Sequence, residues 1–475
     1  MSFKFIGRQS ELEYIKKIQS SKEASILIVY GRRRTGKTKL IEETFKNRNL
    51  LKFEGLEGQS EAKQKKQFLL QMSERFKDPS IAKLKLTTWT EIFVHLFRFI
   101  EKDTVTVYLE EIQWMSNYQS DLISELKYVW DNYFKNNKKL ILILCGSSPS
   151  FIINKVLHSK ALYNRSLHQI HLKEFTVQET QEFLSRPGLS PNELMDAYLS
   201  IGGIPEYLKY LKKYDSVYLG LCNESFLSRG FFTDEYSRIF TSSLSKKRLY
   251  QKTIELLSKN KKLTREQLAD SLNVDSGGTF SELLQDLIDC EFIEKIVPLD
   301  ANMRSTTGYY QIRDSYLQFY FKFIAPFKSK ISYDHFKKDP TKALNMDTYR
   351  KWLGFSFERW CRRNSHLIAD KLGFGSVEYE SGAYFNRKTL NDKSGVQVDL
   401  LFKRKDRVWS ICEIKYLESE VGLSVVNDFE KKLEILNIPK TVSVSKVLIT
   451  ASQPSKVLLN KHYFDRIVTL EDLLK

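Results

Sequence analysis

SILIVYGRRRTGKTKLIEETF, residues 25–45, decides how the first third of the chain is read. SILIVY (25–30) is a continuous apolar run, the pattern of a strand buried on both faces of a parallel sheet. KLIEETF (39–45) has a helical pattern. Between them, Gly31-Arg32-Arg33-Arg34-Thr35-Gly36-Lys37-Thr38 matches G-x-x-x-x-G-K-[ST] at every fixed position. A chance glycine-rich turn would lack this strand–loop–helix setting. The glycines let the backbone curl so that its N–H groups face phosphate oxygens, and the helix N-terminus adds partial positive charge. Residues Gly31 to Lys39 are therefore the expected nucleotide-binding residues. Lys37 is expected to hold the β- and γ-phosphates of ATP, and the Thr38 hydroxyl to bind Mg²⁺.

Two neighbouring runs supply what ATP hydrolysis also needs. TVTVYLEE (104–111) ends a strand in Glu110 and Glu111. Glu110 is the expected Mg²⁺ carboxylate, one methylene longer than the Asp usual there. Glu111 is the expected group for polarising the attacking water. The bland alternative is an exposed acidic pair at a strand end. KLILILCGSS (139–148) ends in Ser147 and Ser148, and Ser147 is placed to contact the γ-phosphate or the attacking water. Arg165, in ALYNRSLHQIHL, is the candidate transition-state arginine. Turn serines and surface arginines are common alternatives for both.

Strands alternating with helical stretches such as LISELKYVWDNYF (122–134) predict a parallel α/β sheet across 1–170. Residues 171–245 read as helical, broken at Gly202-Gly203-Ile204-Pro205. Residues 246–314 give helix, helix, helix, hairpin, the order of a winged helix. Thr264 with Gln267 forms a capping box there, and Leu283, Leu284, Leu287 and Ile288 share one helix face. FIEKIVPL (292–299) and GYYQIRD (308–314) are the two expected strands. Residues 315–345 read as an aromatic helical connector, and 346–475 as α/β again.

Six motifs in order carry a resemblance over roughly 1–240: FIGRQSELEYI (5–15), GRRRTGKT, LEEIQ, CGSS, ALYNR and IGGIPEYL (201–208). Together they resemble the archaeal-type ATPase family of the AAA+/STAND group. The resemblance implies that Arg8, Glu11 and Leu12 lie beside the nucleotide base. It also implies that the turn ending in Pro205 sits near the nucleotide in a helical lid. AAA+ relatives imply a homo-oligomer and STAND relatives a switch; both remain open.

A second constellation lies in GVQVDLLFKRKDRVWSICEIKYLES (395–419). Glu413 and Lys415 are two apart on a strand pattern, so they share a face. A hairpin turning at 403–407 would bring Asp399 to them. Such oxygen ligands suit Mg²⁺ or Mn²⁺, which can polarise a phosphodiester, while Lys415 orients water or stabilises negative charge. This resembles the PD-(D/E)xK nuclease superfamily over about 346–475. The resemblance puts Asp399, Glu413 and Lys415 on its core positions and Glu358 on the preceding helix. Val398 stands where Pro is common. The alternatives are a solvated hairpin face, or an inactive nuclease-like fold that only binds DNA or metal.

Bulk properties are consistent with this layout. A chain of 475 residues with 42% apolar content makes two to four domains of ~100–200 residues, each with a core. A net charge of +17 fits a polyanionic partner such as DNA, or simply lysine-rich coding. Cys145, Cys222, Cys290, Cys361 and Cys412 are scattered with no C-x-x-C pair, which argues for a reducing, cytoplasmic compartment. The N-terminus has no signal-peptide core, and LILILC (140–145) is too short to span a membrane. Lys246, Lys247, Arg248, Lys252, Lys259, Lys261, Lys262 and Arg265 would be the basic flanks if this unit met DNA phosphates. The third helix of that unit carries Glu282, Asp286 and Asp289, which favours packing over base reading.

The sequence therefore predicts an α/β multidomain chain: a P-loop sheet with helical lid, a winged helix, and a restriction-endonuclease-like C-terminal domain. Its expected function couples ATP binding and hydrolysis to DNA binding or metal-dependent DNA cleavage. The alternative is a nucleotide-dependent signalling switch with an inert nuclease-like domain. A pure transcription regulator would have no use for the hydrolytic Glu111.

Overall fold

The computed structural model describes residues 5–158, 167–243, 247–297, 299, 308–385, 397–436 and 438–475. Arg165 and Lys246 lie outside the described residues.

Three runs expected as core strands form β1 (Ser25–Tyr30), β3 (Val105–Glu110) and β4 (Ile141–Gly146), each buried at every position. With β2 (Asn49–Glu54) and β5 (Leu167–His171) they make an all-parallel sheet in the order β2-β3-β4-β1-β5. An all-parallel sheet must be covered on both faces, and apolar cores lie on both. One contains Phe68, Trp89, Phe93, Leu126 and Trp130. The other contains Ile15, Ile18, Leu40 and Ile41 from the helices Gln9–Gln19 and Lys37–Thr44, with Phe45 just after the second. The edge strands β2 and β5 escaped the sequence reading. NLLKFE alternates exposed and buried positions, and LHQIH is half polar.

Five helices follow between Val177 and Ser243, with the break at Gly202 falling between Pro191–Ile201 and Pro205–Leu211. Next come helix Lys247–Lys259, β6 (Leu263–Thr264), helices Arg265–Leu272 and Gly278–Asp289, then β7 (Ile293–Ile296) and β8 (Tyr309–Ile312). The Thr264–Gln267 capping box is present. β6, β8 and β7 form a small antiparallel sheet. The two-residue β6 is too short to show a period in sequence.

The C-terminal sheet runs β13-β12-β11-β10-β9. Its strands are β9 (Tyr379–Phe385), β10 (Gln397–Arg404), β11 (Val408–Lys415), β12 (Ser443–Thr450) and β13 (Arg466–Thr469). β9, β10 and β11 pair antiparallel; β11, β12 and β13 pair parallel. The helix Met346–Arg363 packs against this sheet, and Ser424–Ile435 makes the parallel crossover. One apolar core extends without interruption from Phe175 to Leu474, through the helical region, the small sheet, the connector and one face of the C-terminal sheet. Separate sequence segments thus share one interior. Among the described residues no helix is long and apolar enough to cross a membrane.

Candidate functional site

The order β3-β4-β1 sets three C-terminal strand ends side by side. Each carries a piece of the expected nucleotide site, where ligands of parallel α/β sheets collect. At the end of β1, Gly31 has φ +153°, and a Cβ there would lie 2.2 Å from the Leu172 carbonyl oxygen. Gly36, at φ +93°, is the residue before the helix that starts at Lys37. Lys37 is buried and folds back on the loop, donating to the carbonyls of Gly31 at 2.8 Å and Arg32 at 2.7 Å. Burial pushes its ammonium pKa below the usual lysine value, against the pull of Cys145, Glu111 and Glu110. Lys39 is exposed.

Thr38 donates its hydroxyl to Glu110, which also accepts from Tyr108 at 2.7 Å and pairs with Lys52 at 2.5 Å. Burial alone would raise the Glu110 pKa. The bonds from Lys52, Thr38 and Tyr108 outweigh it and hold Glu110 below the ordinary value. Glu111 follows in a left-handed conformation, φ +53°. Its carboxylate accepts from the Ser147 N–H at 3.0 Å, the Ser147 hydroxyl at 2.7 Å and the Gln113 amide at 2.6 Å. The fold therefore brings Lys37, Thr38, Glu110, Glu111 and Ser147 together. Sequence reading missed Lys52, Tyr108 and Gln113. β2 lies beside β3 with Glu54 opposite Glu110, and that register has no spacing signal.

Arg8 and the loop arginines each hold a different partner. Arg8 donates to the carbonyls of Thr35 at 3.2 Å and Lys173 at 2.7 Å, and stacks over Phe175. Arg32 is buried, pairs with Asp314 at 2.5 Å and lies over Phe292. Arg33 is partly exposed near Glu57 and Trp114. Arg34 pairs with Glu235 and covers Phe231. The Thr35 hydroxyl bonds the Arg32 carbonyl. Pro205 opens its helix, and Tyr207 two residues on bonds Glu235, the partner of Arg34. Arg8, Arg32 and Arg34 thus act as tethers to later elements.

In the C-terminal sheet, Leu400 stands opposite Cys412, so Asp399 and Glu413 follow as the next positions along β10 and β11. Asp399 accepts from the Ile414 N–H at 3.2 Å. Lys415 reaches Glu413 at 2.9 Å. Lys432, from the crossover helix, sits between the acids, 2.6 Å from Glu413 and 3.5 Å from Asp399. Burial, then Glu413, pushes the Asp399 pKa up; burial, then Asp399, does the same to Glu358. Glu358 pairs with Arg362, which also donates to the Asp399 carbonyl at 3.1 Å. Among the described residues no three His, Cys, Asp or Glu side chains are grouped to hold a metal. Asp399 and Glu413 face ammonium groups, and Glu358 faces the Arg362 guanidinium. A cavity of about 580 Å³ adjoins them, lined by Asp196, Tyr349, Arg350, Phe355, Glu358 and Lys415 among others.

Comparison with known proteins places the N-terminal part. Residues 5–211 match the family described as an ATPase domain predominantly from Archaea. An uncharacterised protein of Methanocaldococcus jannaschii is 29% identical over 449 residues, covering 91% of this chain and 95% of the relative. An uncharacterised ATP-binding protein of Pyrococcus abyssi is 27% identical over 297 residues, 56% of this chain and 87% of the relative. Among solved structures, a Walker-type ATPase of P. abyssi aligns with TM-score 0.47 and 16% identity, covering 67% of this chain and 96% of that one. The phosphate loop, the acidic strand end and Ser147 are thus assembled at the C-terminal strand ends of a parallel sheet, within the segment that matches this ATPase family.

Proposed function

We propose that this protein is an ATPase whose nucleotide state governs a nucleic-acid-handling site in its C-terminal sheet. One observation carries the reading: a path of side-chain and backbone contacts joins the phosphate loop to that site. Arg32 of the loop holds Asp314, just past β8. β8 pairs with β7, and Glu294 of β7 takes both Arg363 contacts at 2.8 Å. Arg363 ends the helix that carries Glu358 and Arg362, and Arg362 reaches the Asp399 backbone.

At the nucleotide site, phosphates replace the Gly31 and Arg32 carbonyls as partners of Lys37. The donor set fits Mg²⁺, with Thr38 and Glu110 as the residues that would hold it. Mg²⁺ supplies charge neutralisation on the β- and γ-phosphates. Lys52 and Tyr108 keep Glu110 ionised and aimed. Glu111, fixed by Ser147 and Gln113, orients water and accepts its proton. Arg165 remains the proposed transition-state arginine.

At the second site, Asp399, Glu413, Lys415 and Glu358 present the residue types of phosphodiester hydrolysis with Mg²⁺ or Mn²⁺. The net charge of +17 suits DNA. The unit 247–312 reads as a winged helix used for packing: its third helix binds Tyr250 through Asp286, and Phe292 lies under Arg32. The five cysteines are buried and unpaired, as suits a reducing cytoplasmic setting. A second reading, a switch with an inert C-terminal domain, is favoured by Lys432 standing between the two acids.

ATP turnover and oligonucleotide affinity of wild type, Lys37→Ala and Glu111→Gln test the proposal. Turnover should fall in both variants, and oligonucleotide affinity in wild type should change when an ATP analogue is added. Equal turnover in all three proteins, or no oligonucleotide binding at any nucleotide state, would overturn it.

A further inference from the structure

We infer that Lys432 is a resident counter-cation that keeps divalent metal off the Asp399–Glu413 pair until a nucleic-acid phosphate draws it away. This rests on reading that pair as a metal site. Both Glu413 oxygens already hold an ammonium: Lys415 on Oε1 at 2.9 Å and Lys432 on Oε2 at 2.6 Å. Asp399 Oδ2 takes the Ile414 N–H and faces Lys432 at 3.5 Å. Asp399 and Glu413 thus face two ammonium groups, and the neighbouring Glu358 faces the Arg362 guanidinium, so the charges of the cluster already balance. Glu413 is 1% exposed and Asp399 8%. A divalent ion entering beside both lysines would leave uncompensated positive charge in a nearly dry site, which is costly. One ammonium has to leave. Lys415 contacts only Glu413 of the pair, whereas Lys432 spans both acids, so Lys432 holds the position a bridging cation needs.

The way out is built in. Val425, Val426 and Phe429 anchor the crossover helix in an apolar cluster, so its backbone is fixed. The Lys432 side chain is 19% exposed, so its flexible arm has a path to solvent. A phosphate oxygen offers the ammonium an equally charged partner there. Metal and nucleic acid then bind cooperatively, and linkage makes the effect reciprocal: each raises the affinity of the other by the same factor.

Calorimetric titration of Mn²⁺ into the full-length, nucleotide-free chain tests this, with and without a short phosphorothioate oligonucleotide. Lys432→Met, which keeps most of the apolar stem, should bind Mn²⁺ about tenfold or more tighter than wild type. The gain should vanish when Asp399→Ala is added. The oligonucleotide should raise Mn²⁺ affinity in wild type by a similar factor and leave Lys432→Met unchanged. Lys432→Gln, checked by its melting curve, guards against misfolding of the first variant. If Asp399→Ala weakens Mn²⁺ binding in wild type while both Lys432 variants bind as wild type does, the metal site stands and the lock falls. If no protein shows Asp399-dependent Mn²⁺ binding with or without oligonucleotide, the metal reading and the lock fall together.

Discussion

If Lys37 grips phosphate and Glu111 activates water, as proposed, their substitution should separate binding from chemistry. Lys37→Ala removes the one buried ammonium on the loop, so ATP affinity should drop by at least about tenfold in a calorimetric titration. Glu111→Gln keeps acceptors for Ser147 but cannot take a proton. ATP should still bind, while turnover falls about 10²–10³-fold. Both residues were legible in sequence because each stands at a fixed place relative to a strand end. So were Thr38, Glu110 and Ser147. Lys52, Tyr108, Gln113 and Lys432 were not. Lys52 comes from a neighbouring strand and Lys432 from a crossover helix, and only register and packing bring them in. Tyr108 stands in no motif, and Gln113, though it ends LEEIQ, was given no role from the sequence.

Two contacts between elements should have measurable energetic signatures. Arg32 and Asp314 are both buried, and Asp314 also caps the helix Ser315–Phe319 through the Leu317 N–H. Arg32→Met leaves the Asp314 carboxylate buried without its partner, and urea denaturation should register a loss of about 3–5 kcal/mol. Adding Asp314→Asn, which keeps an oxygen for the cap, should return part of that loss. The second contact is Tyr416 to Asp196 at 2.6 Å, which ties β11's end to the helix Pro191–Ile201. Burial pushes the Asp196 pKa up to about 7, against the pull of the Tyr416 bond. An unfolded Asp titrates near ~3.9. The stability given by the protonated form is therefore in place below that value and is lost as pH rises through about 7. Melting temperatures across this window should fall more steeply for wild type than for Asp196→Asn. A flat difference between the two proteins would contradict the assignment. Neither contact was readable in sequence, since their partners are far apart in the chain. Other features at this scale were: β1, β3, β4, the Thr264 cap and the 397–415 hairpin follow from apolar runs, capping spacing and alternation.

At the scale of the molecule, sequence divides the chain into segments, whereas the fold joins the later ones. A composition shift or a helical stretch marks where patterns change, but says nothing of which apolar faces meet. The continuous core from Phe175 to Leu474 packs the helical region, the small sheet and one face of the C-terminal sheet against one another. Arg32 and Arg34 fasten this packed region to the phosphate loop. Nucleotide binding should therefore be felt far from the loop. Hydrogen exchange with mass spectrometry, with and without a non-hydrolysable ATP analogue and Mg²⁺, reads this directly. In wild type, amides of the helix Met346–Arg363 and of β10 and β11 should exchange more slowly once the analogue is bound, and Lys37→Ala should show no change. Slowed exchange confined to residues 5–158, with the C-terminal sheet indifferent to nucleotide, would contradict the coupling on which this account depends.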